Sequence, residues 1–322
     1  MSEQVLAVIV TYNPKQDALR VLLQAALDQL KTIIIVDNGS KNLSQIESLA
    51  SEFGDESRIE IQALANNLGL GAAHNIGIKT ARDKQLDYVL LLDQDSVPMP
   101  NMVENLLSAH QKKSQTNSVS AVGSTYINAD NGSESFFVRF GKLKFKRQYC
   151  ANRDADRCIE ADFLISSGSL ISLQTLHEVG DMDEDLFIDH VDTEWFLRAH
   201  NKGYKSFGVC NAVMQHGLGE TTHQLNFGGH YFLRRLFGLK NARRRNVPQH
   251  NSFRYYYIFR NSVLLYKRDY ASLLWKWNDV QRLCMILVMF SVFKSPRREN
   301  LAMMLRGTRD GFRGVSGKLK DH

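Results

Sequence analysis

Apolar and polar positions along the first hundred residues switch between two periods. VLAVIVT (5–11), TIIIVD (32–37), IEIQAL (59–64) and YVLLL (88–92) are short apolar runs rich in β-branched residues and leucine, the pattern of strands in a sheet buried on both faces. Between them, DALRVLLQAALDQL (17–30), a segment over 43–53 and GAAHNIGIKTAR (71–82) carry apolar residues at helical spacing. The alternation predicts an α/β fold with a Rossmann-like, mostly parallel central sheet and helices on both faces. Ligands of such sheets bind at the carboxyl ends of the strands, so residues 1–118 read as a nucleotide-binding layer. From about 119 the pattern changes. SAVGSTYI and VRFGKLKFKRQY read as strands, the second with Lys142, Lys144 and Lys146 on one face. EADFLISSGSLISL (160–173) reads as a strand pair or a strand and turn, and VDTEWFLRAHNKGY (191–204) as a helix ending near Gly203. Past His216 the chain reads as mainly helical, which sets 221–322 apart from 1–220 as a C-terminal extension.

Composition sharpens that division. The 322 residues are 43% hydrophobic with five prolines, enough for a sizeable core and without low-complexity sequence. The net charge of +6 hides an asymmetry: residues 1–220 hold 20 Lys/Arg against 29 Asp/Glu, residues 221–322 hold 20 against 5, and no acidic residue occurs between Thr221 and Arg268. A C-terminal third this basic points to an anionic partner, a membrane surface or nucleic acid. Leu283 to Phe293 is apolar but far short of a span of roughly 20 residues. Trp275 and Trp277 precede it and Lys294, Arg297 and Arg298 follow it, flanks that fit a helix lying in a membrane interface. A buried core or dimer helix is the alternative. No signal peptide is read at the N-terminus. Cys150, Cys158, Cys210 and Cys284 form no CxxC pair, so a reduced, cytoplasmic protein is expected rather than a disulfide framework.

Several stretches can carry chemistry. In LLLDQDS a buried strand ends on Asp93 and Asp95 with Gln94 between them. On an extended segment both carboxylates point the same way, and two hard oxygen ligands suit Mg²⁺ or Mn²⁺; a solvated strand end is the plain alternative. VDNGS places Asp37 at another strand end before a tight turn, where it either meets a ligand or serves the turn. In NNLGLGAAHNIG, Gly69, Gly71 and Gly77 allow close backbone approach, although the spacing is not that of a dinucleotide fingerprint. MDEDLFIDHVDTEW (182–195) groups six carboxylates around Phe187, Ile188 and Val191, a cleft edge able to hold a general base or an acidic helix start. His216 follows a strand-like run and is either a metal ligand or a structural histidine. RYYYIFRNSVLLYKR (254–268) interleaves Arg254 and Arg260 with aromatic residues, suited to phosphates, sugars or a lipid headgroup, or else forming a helix with a solvated basic face.

Taken in order, VIVTYN, VDNGS, NNLGLGAAHNIGI, LLLDQDS and FIDHVDTEWFLRA resemble glycosyltransferase family 2, inverting enzymes of the GT-A fold. Within it, LLLDQDS, FLISSGSL, FIDHVDTEW, RYYYIFRN and LRGTRDGFRG (305–314) look like bacterial rhamnosyltransferases that use dTDP-L-rhamnose to build O-antigen, related polysaccharides or rhamnolipids. The resemblance implies roles. Thr11, Tyr12 and Asn13 would line the nucleotide pocket, and Asp37 would bind the thymine imide. Asn67, Gly69 and Asn75 would lie along the donor, and Asp93 with Gln94 near the ribose. Asp95, with Asp93 and His216, would hold Mg²⁺ or Mn²⁺ on the diphosphate. Asp192 would be the catalytic base, in a part of the chain (119–220) that also receives the acceptor. Many relatives have Glu-Asp where this chain has Val191-Asp192, leaving Asp189 and Glu194 as candidates to orient the base. Asp189, Arg254 and Arg260 are further substrate-binding candidates. The expected enzyme is a metal-dependent glycosyltransferase moving L-rhamnose to a saccharide or lipid-linked saccharide in lipopolysaccharide synthesis. It is placed in the cytoplasm, peripheral to the inner face of the cytoplasmic membrane through 221–322. Use of another nucleotide sugar is the closest alternative. A nucleic-acid binding protein leaves the acidic motifs unexplained and lacks any finger, helix-turn-helix or RNP-like pattern.

Overall fold

The computed structural model describes residues 2–54, 58–128, 132–142, 145–150, 157–216, 222–224, 246–248, 251–293 and 296–319. Strand β1 (Ser2–Thr11) pairs in parallel with β2 (Leu30–Asp37) on one side and β4 (Tyr88–Asp93) on the other, and β2 pairs in parallel with β3 (Ile59–Ala63). The register sets Thr11 beside Asp37 and Val10 beside Asp93, so three polar strand ends meet at one edge. Beyond β4 the order continues β10 (Ser169–Ser172), β6 (Val119–Asn128), β11 (Lys205–His216) and β5 (Ser96–Pro98), with β9 (Cys158–Ala161) also on β11, nine strands in all. β6 and β11 are parallel to each other. β10 is antiparallel to both β4 and β6, and β5 and β9 are antiparallel to β11.

Alternation along β1 explains the layering. Val5, Ala7 and Ile9 join a core under α1 (Gln16–Leu27), α2 (Leu43–Ser51) and α4 (Met102–Ser114). Leu6 and Val8 join the opposite core under α3 (Leu70–Asp83), α5 (Leu173–Val179) and α6 (Val191–Asn201). The expected helices on both faces are therefore present, together with α4 and α5, which the apolar pattern did not reveal. Segment 160–173 is not a hairpin: its two strands lie in different parts of the sheet. VRFGKLKFKRQY splits into a small ladder of β7 (Phe137–Arg139) and β8 (Lys146–Gln148), and Lys144 lies outside the described residues.

The C-terminal region is helical from α7 (Ser252–Tyr266) through α8 (Leu273–Val288) to α9 (Arg297–Phe312), preceded by the two-stranded ladder β12 (Thr222–Gln224) and β13 (Asn246–Pro248). The expected boundary at 220 falls outside the described residues. α7 is not a helix with a solvated basic face: it is buried almost all round, Arg260 and Asn261 included. α9 reaches it through two glycines one turn apart. A Cβ on Gly307 would stand 2.3 Å from the Tyr256 carbonyl oxygen, and one on Gly311 would stand 2.7 Å from that of Arg260. This close seat accounts for the two glycines of LRGTRDGF. The cysteine expectation needs correction as well: Cys150 and Cys210, 60 residues apart, form a disulfide, which Cys158 and Cys284 do not join. Spacing alone could not reveal a pair brought together by tertiary packing. Among the described residues no helix is long and apolar enough to cross a membrane.

Gly307→Ala is expected to push α9 off α7 and lower stability by about 1–3 kcal/mol, the usual range for overpacking. Urea unfolding measures it, and an unchanged midpoint would mean that the two helices are not in this contact.

Candidate active site

The carboxyl edge of β1, β2 and β4 is knitted together by short polar side chains. Asp37 accepts from the Thr11 hydroxyl at 2.8 Å, from the Ser40 amide at 2.8 Å and from the Ser40 hydroxyl. Ser40 Oγ in turn accepts from the Asn13 amide at 2.7 Å, and Asn13 Oδ1 accepts from the Lys41 amide at 2.9 Å. Gln94 Oε1 accepts from the Tyr12 amide at 2.8 Å, which couples the turn after β4 to the loop after β1. Asp37 is 0% exposed, as is Thr11. The base contact expected of Asp37 is therefore not open in this structure; the carboxylate instead organises the loop that presents Tyr12 and Asn13, both exposed.

The glycine loop before α3 also differs from expectation. Gly69 has φ 96°, and a Cβ there would meet the Phe187 carbonyl oxygen at 2.6 Å; one on Gly71 would meet that of Asp183 at 2.8 Å. The close approach these glycines permit is to the protein's own backbone. Asn67 Oδ1 accepts from the Gly69 amide. Asn75 is committed to both backbone groups of Met182, donating to its carbonyl at 3.0 Å and accepting from its amide at 2.9 Å, so it anchors the 182–190 segment and is not free to line the donor.

Asp93 ends β4, but Gln94 and Asp95 form a turn before β5. The strand alternation that would aim both carboxylates alike therefore does not apply, although Asp93, Gln94 and Asp95 are all partly buried at the same edge. The β5–β11 register sets Ser96 opposite His216, which brings the backbone of His216 next to the residue after Asp95; the His216 side chain lies outside the described residues. The Asp93 amide donates to Ser167 Oγ at 3.0 Å, and Ser167 donates to Ser96 Oγ at 2.7 Å.

Asp192 sits in the first turn of α6 with its Oδ1 accepting from the Thr193 amide at 2.7 Å, as a carboxylate at a helix N-terminus does. A second backbone hydrogen bond comes from Ser166. Even so, burial is the larger effect and, with the charge of Asp189 nearby, raises the Asp192 pKa above the ordinary aspartate value of 3.8. The helix N-terminus thus moderates, and does not set, the protonation of this group. Glu194 does not orient it: Glu194 is gripped by Arg198 through two hydrogen bonds of 2.8 Å and accepts from Tyr270. Asp189 is paired with Arg254, whose Nε lies 3.1 Å and 3.2 Å from its two oxygens, so these two substrate-binding candidates hold each other.

The loop carrying Asp189 is unusual. Phe187, Asp189 and His190 all have positive φ, from 61° to 64°. α7 holds it there. Asn261 Nδ2 donates to the carbonyls of Leu186, Ile188 and Asp189 at 2.8–2.9 Å, and Arg260 donates to those of Leu186 and Gly317. Arg260 is 0% exposed. It therefore touches no substrate, which corrects its expected role; the aromatic-basic pattern of α7 disguised a buried clamp. His190 Nε2 lies 3.0 Å from Ser262 Oγ and 2.9 Å from Arg282, and burial, then Arg282, lower its pKa to about 4, so it is neutral at pH 7. A cavity of about 1070 Å³ opens beside this loop, bordered by Asp189, His190, Thr193, Phe163, Arg282 and Met285, large for a small-molecule site. Ser40, Ser166, Ser167 and Asn261 were not singled out by sequence reasoning. The SSGS run before a strand was the visible signal for Ser166 and Ser167; Ser40 closes VDNGS and Asn261 closes RYYYIFRN, motifs read for other residues.

Residues 6–180, just over half of the chain, match the sequence profile of Glycosyl transferase family 2. The chain belongs to this family. Over 317 residues, 98% of each protein, the glycosyltransferase is 27% identical to dTDP-rhamnosyl transferase RfbF of Shigella flexneri. A second relative, an uncharacterized glycosyltransferase of Rickettsia bellii (strain RML369-C), is 30% identical over 107 residues, 33% of this chain and 14% of the relative. Among solved structures, S. aureus TarS 1-349 in complex with UDP-GlcNAc superposes with a TM-score of 0.56 at 12% identity, covering 97% of this chain and 81% of that one. GalNAc-T7 with UDP, GalNAc and Mn²⁺ gives 0.56 at 14% identity, covering 87% and 54%. The transferase has the GT-A fold that its sequence resemblance implied.

Two outcomes follow from the loop. Asn261→Ala should take the side-chain donor from the Ile188 and Asp189 carbonyls, Leu186 keeping Arg260, costing about 1–3 kcal/mol of stability and, by displacing the loop, lowering kcat about 10²-fold with the donor KM little changed. Equal loss in kcat and donor KM would contradict a positioning role. The raised pKa of Asp192 should move the acid limb of the kcat–pH profile upward: more of the carboxylate is protonated at each pH, so activity falls away above pH 3.8 as pH is lowered. By the same sign the ionised form is disfavoured by folding, and Asp192→Asn should raise the melting temperature at pH 7.

Proposed function

We propose that this glycosyltransferase moves L-rhamnose from dTDP-β-L-rhamnose to an acceptor hydroxyl with inversion, using Asp192 as the general base. The observation that carries the donor assignment is the near full-length similarity to the Shigella protein described as a dTDP-rhamnosyl transferase. The acceptor class in this reading is a saccharide or lipid-linked saccharide of a cell-surface polysaccharide. A different nucleotide sugar is the second reading, favoured by the UDP and UDP-sugar in the two structural neighbours.

Divalent metal fits the donor edge by its chemistry. Asp93 and Asp95 are partly buried carboxylates next to the register position of His216. Among the described residues no group of three His, Cys, Asp or Glu side chains gathers. One or two carboxylates completed by substrate phosphates is how Mg²⁺ is usually held, so Asp95 with Asp93 would hold Mg²⁺ or Mn²⁺. When bound, the ion would neutralise charge on the departing diphosphate.

The protein's own residues do the rest. Tyr12 and Asn13, held out by Ser40 and Gln94, flank the donor pocket. The acceptor occupies the cavity beside Asp189, and its hydroxyl proton passes to the Asp192 carboxylate as the new C1–O bond forms and the bond to the diphosphate breaks. A base whose pKa is raised by burial holds that proton better than an ordinary aspartate, which suits general-base work nearer neutral pH.

The test is a panel of nucleotide sugars, dTDP-β-L-rhamnose and UDP-sugars, offered with extracted acceptor lipids and read by mass spectrometry. Rhamnosyl product from the dTDP donor alone is expected. Asp192→Asn should lower turnover about 10²–10⁴-fold with dTDP affinity, by calorimetry, nearly unchanged. Turnover of UDP-sugars only would overturn the donor assignment and leave the base untouched.

A further inference from the structure

Helix α8 is amphipathic in an unexpected sense. The apolar run 283–293 is not one interfacial helix: α8 ends at Val288, the π-helical turn Met289–Phe293 follows, and Phe290 is buried in a core with Tyr255 and Met304. Trp275 is buried as well. The face left exposed starts earlier. Leu273, Trp277, Val280, Cys284 and Val288 recur at steps of four, three, four and four residues, and all are exposed, Leu273 at 82% and Trp277 at 55%. Such spacing puts them in one stripe along the helix. The opposite side of α8 carries Trp275, Asn278 and Asp279 inward, and Arg282 and Met285 onto the cavity beside Asp189. α9 adds Leu301, Leu305 and Phe312, all exposed, interleaved with exposed Arg298, Arg309 and Arg313.

A continuous apolar stripe on a soluble protein marks an interaction surface. The charge of the helices that carry it selects the occupant: the described residues 251–293 and 296–319 hold 12 Lys/Arg against 4 Asp/Glu. Apolar residues that enter a headgroup layer, with arginine and lysine beside them, fit an anionic lipid surface. A second copy of the chain would bring a like-charged region against this one, which opposes dimerisation here.

We propose that the outward stripe of α8, with the arginine-flanked face of α9, docks the protein on an anionic lipid bilayer. α8 walls the cavity beside Asp189 with its opposite side, so docking by the stripe holds that cavity one helix diameter, about 10 Å, from the lipid surface, within reach of an amphiphilic acceptor that projects from it. The docking itself does not depend on which sugar nucleotide is used.

Trp277 supplies a built-in probe, since the other two tryptophans, Trp195 and Trp275, are buried. Full-length protein without donor is mixed with vesicles of phosphatidylcholine, with or without phosphatidylglycerol. The phosphatidylglycerol vesicles should shift tryptophan emission to the blue, shield it from iodide and carry the protein in flotation, each effect weakening at high salt. Leu273→Ser with Val280→Ser should weaken flotation about tenfold or more, as expected for removing two buried apolar side chains. Both substitutions are at exposed positions, and donor binding by calorimetry should be unchanged, which separates failure of this proposal from failure of the donor assignment. Binding indifferent to phosphatidylglycerol, flotation unaffected by the double substitution, or a concentration-dependent dimer that shields Trp277 without vesicles would each overturn it.

Discussion

The backbone of residues 186–190 is held in a conformation it would not adopt alone. Phe187, Asp189 and His190 have positive φ, sparsely populated backbone that costs roughly 1–3 kcal/mol in a residue with a Cβ. Three carbonyls of this loop accept from the single amide nitrogen of Asn261, and Arg260 beside it holds Leu186 as well. The loop turns sharply enough that Asp189 meets Arg254 on one side and Asp192 enters the first turn of α6 on the other. Strain kept in place by over-determined hydrogen bonding is a common property of catalytic loops.

That clamp has a structural consequence. A buried guanidinium is tolerable only where its hydrogen bonds are satisfied, and Arg260 meets this with Asn261, backbone carbonyls and the faces of Tyr256 and Tyr257. α7 must then be covered on every side. α9 covers one side at glycine distance, and Lys267 ties its end by donating to the carbonyls of Gly311 and Phe312. Phe187 stacks on Tyr257 with centroids 5.2 Å apart. The C-terminal helices, set apart in sequence by charge, are thus the support of the 186–190 loop. Arg298, Arg309 and Arg313 face outward, while Arg254, Arg260 and Asn261 are turned in against the loop.

Much of the parallel layer was legible because each strand there is buried on both faces and flanked by helical spacing. β1, β2, β3 and β4 fall within a few residues of their apolar runs. The acidic positions at strand ends were legible for the same reason: Asp37 and Asp93 interrupt runs that otherwise lack polarity. What a polar residue bonds to was not legible. Asp37, Asn75 and Arg260 carry the residue types of ligand contacts but are satisfied by Thr11 and Ser40, by Met182, and by loop carbonyls. Those partners lie 26, 107 and 74 residues away in the case of Thr11, Met182 and Leu186, separations that no local period encodes. Asn261 was hidden because one asparagine among aromatic residues has no pattern. The disulfide was hidden because Cys150, just past the small β7–β8 ladder, meets Cys210 of β11 only through tertiary packing.

The antiparallel strand β10 is what joins the two chemical poles. A parallel strand in its place would start at the amino edge of the sheet. Reversed, β10 starts beside Leu91, with Ser169 opposite that residue, so the loop before it lies at the carboxyl edge where Asp93 ends β4. Gly168, at φ 81°, makes the entry possible: a Cβ there would overlap Ser124 Oγ at 2.1 Å. From this one loop Ser167 accepts from the Asp93 amide and Ser166 donates its backbone to Asp192. The carboxylate edge proposed to face the leaving group and the carboxylate proposed to take the proton are therefore set relative to each other by consecutive residues. A displacement that makes one bond as it breaks another depends on that relative placement more than on the position of either group alone.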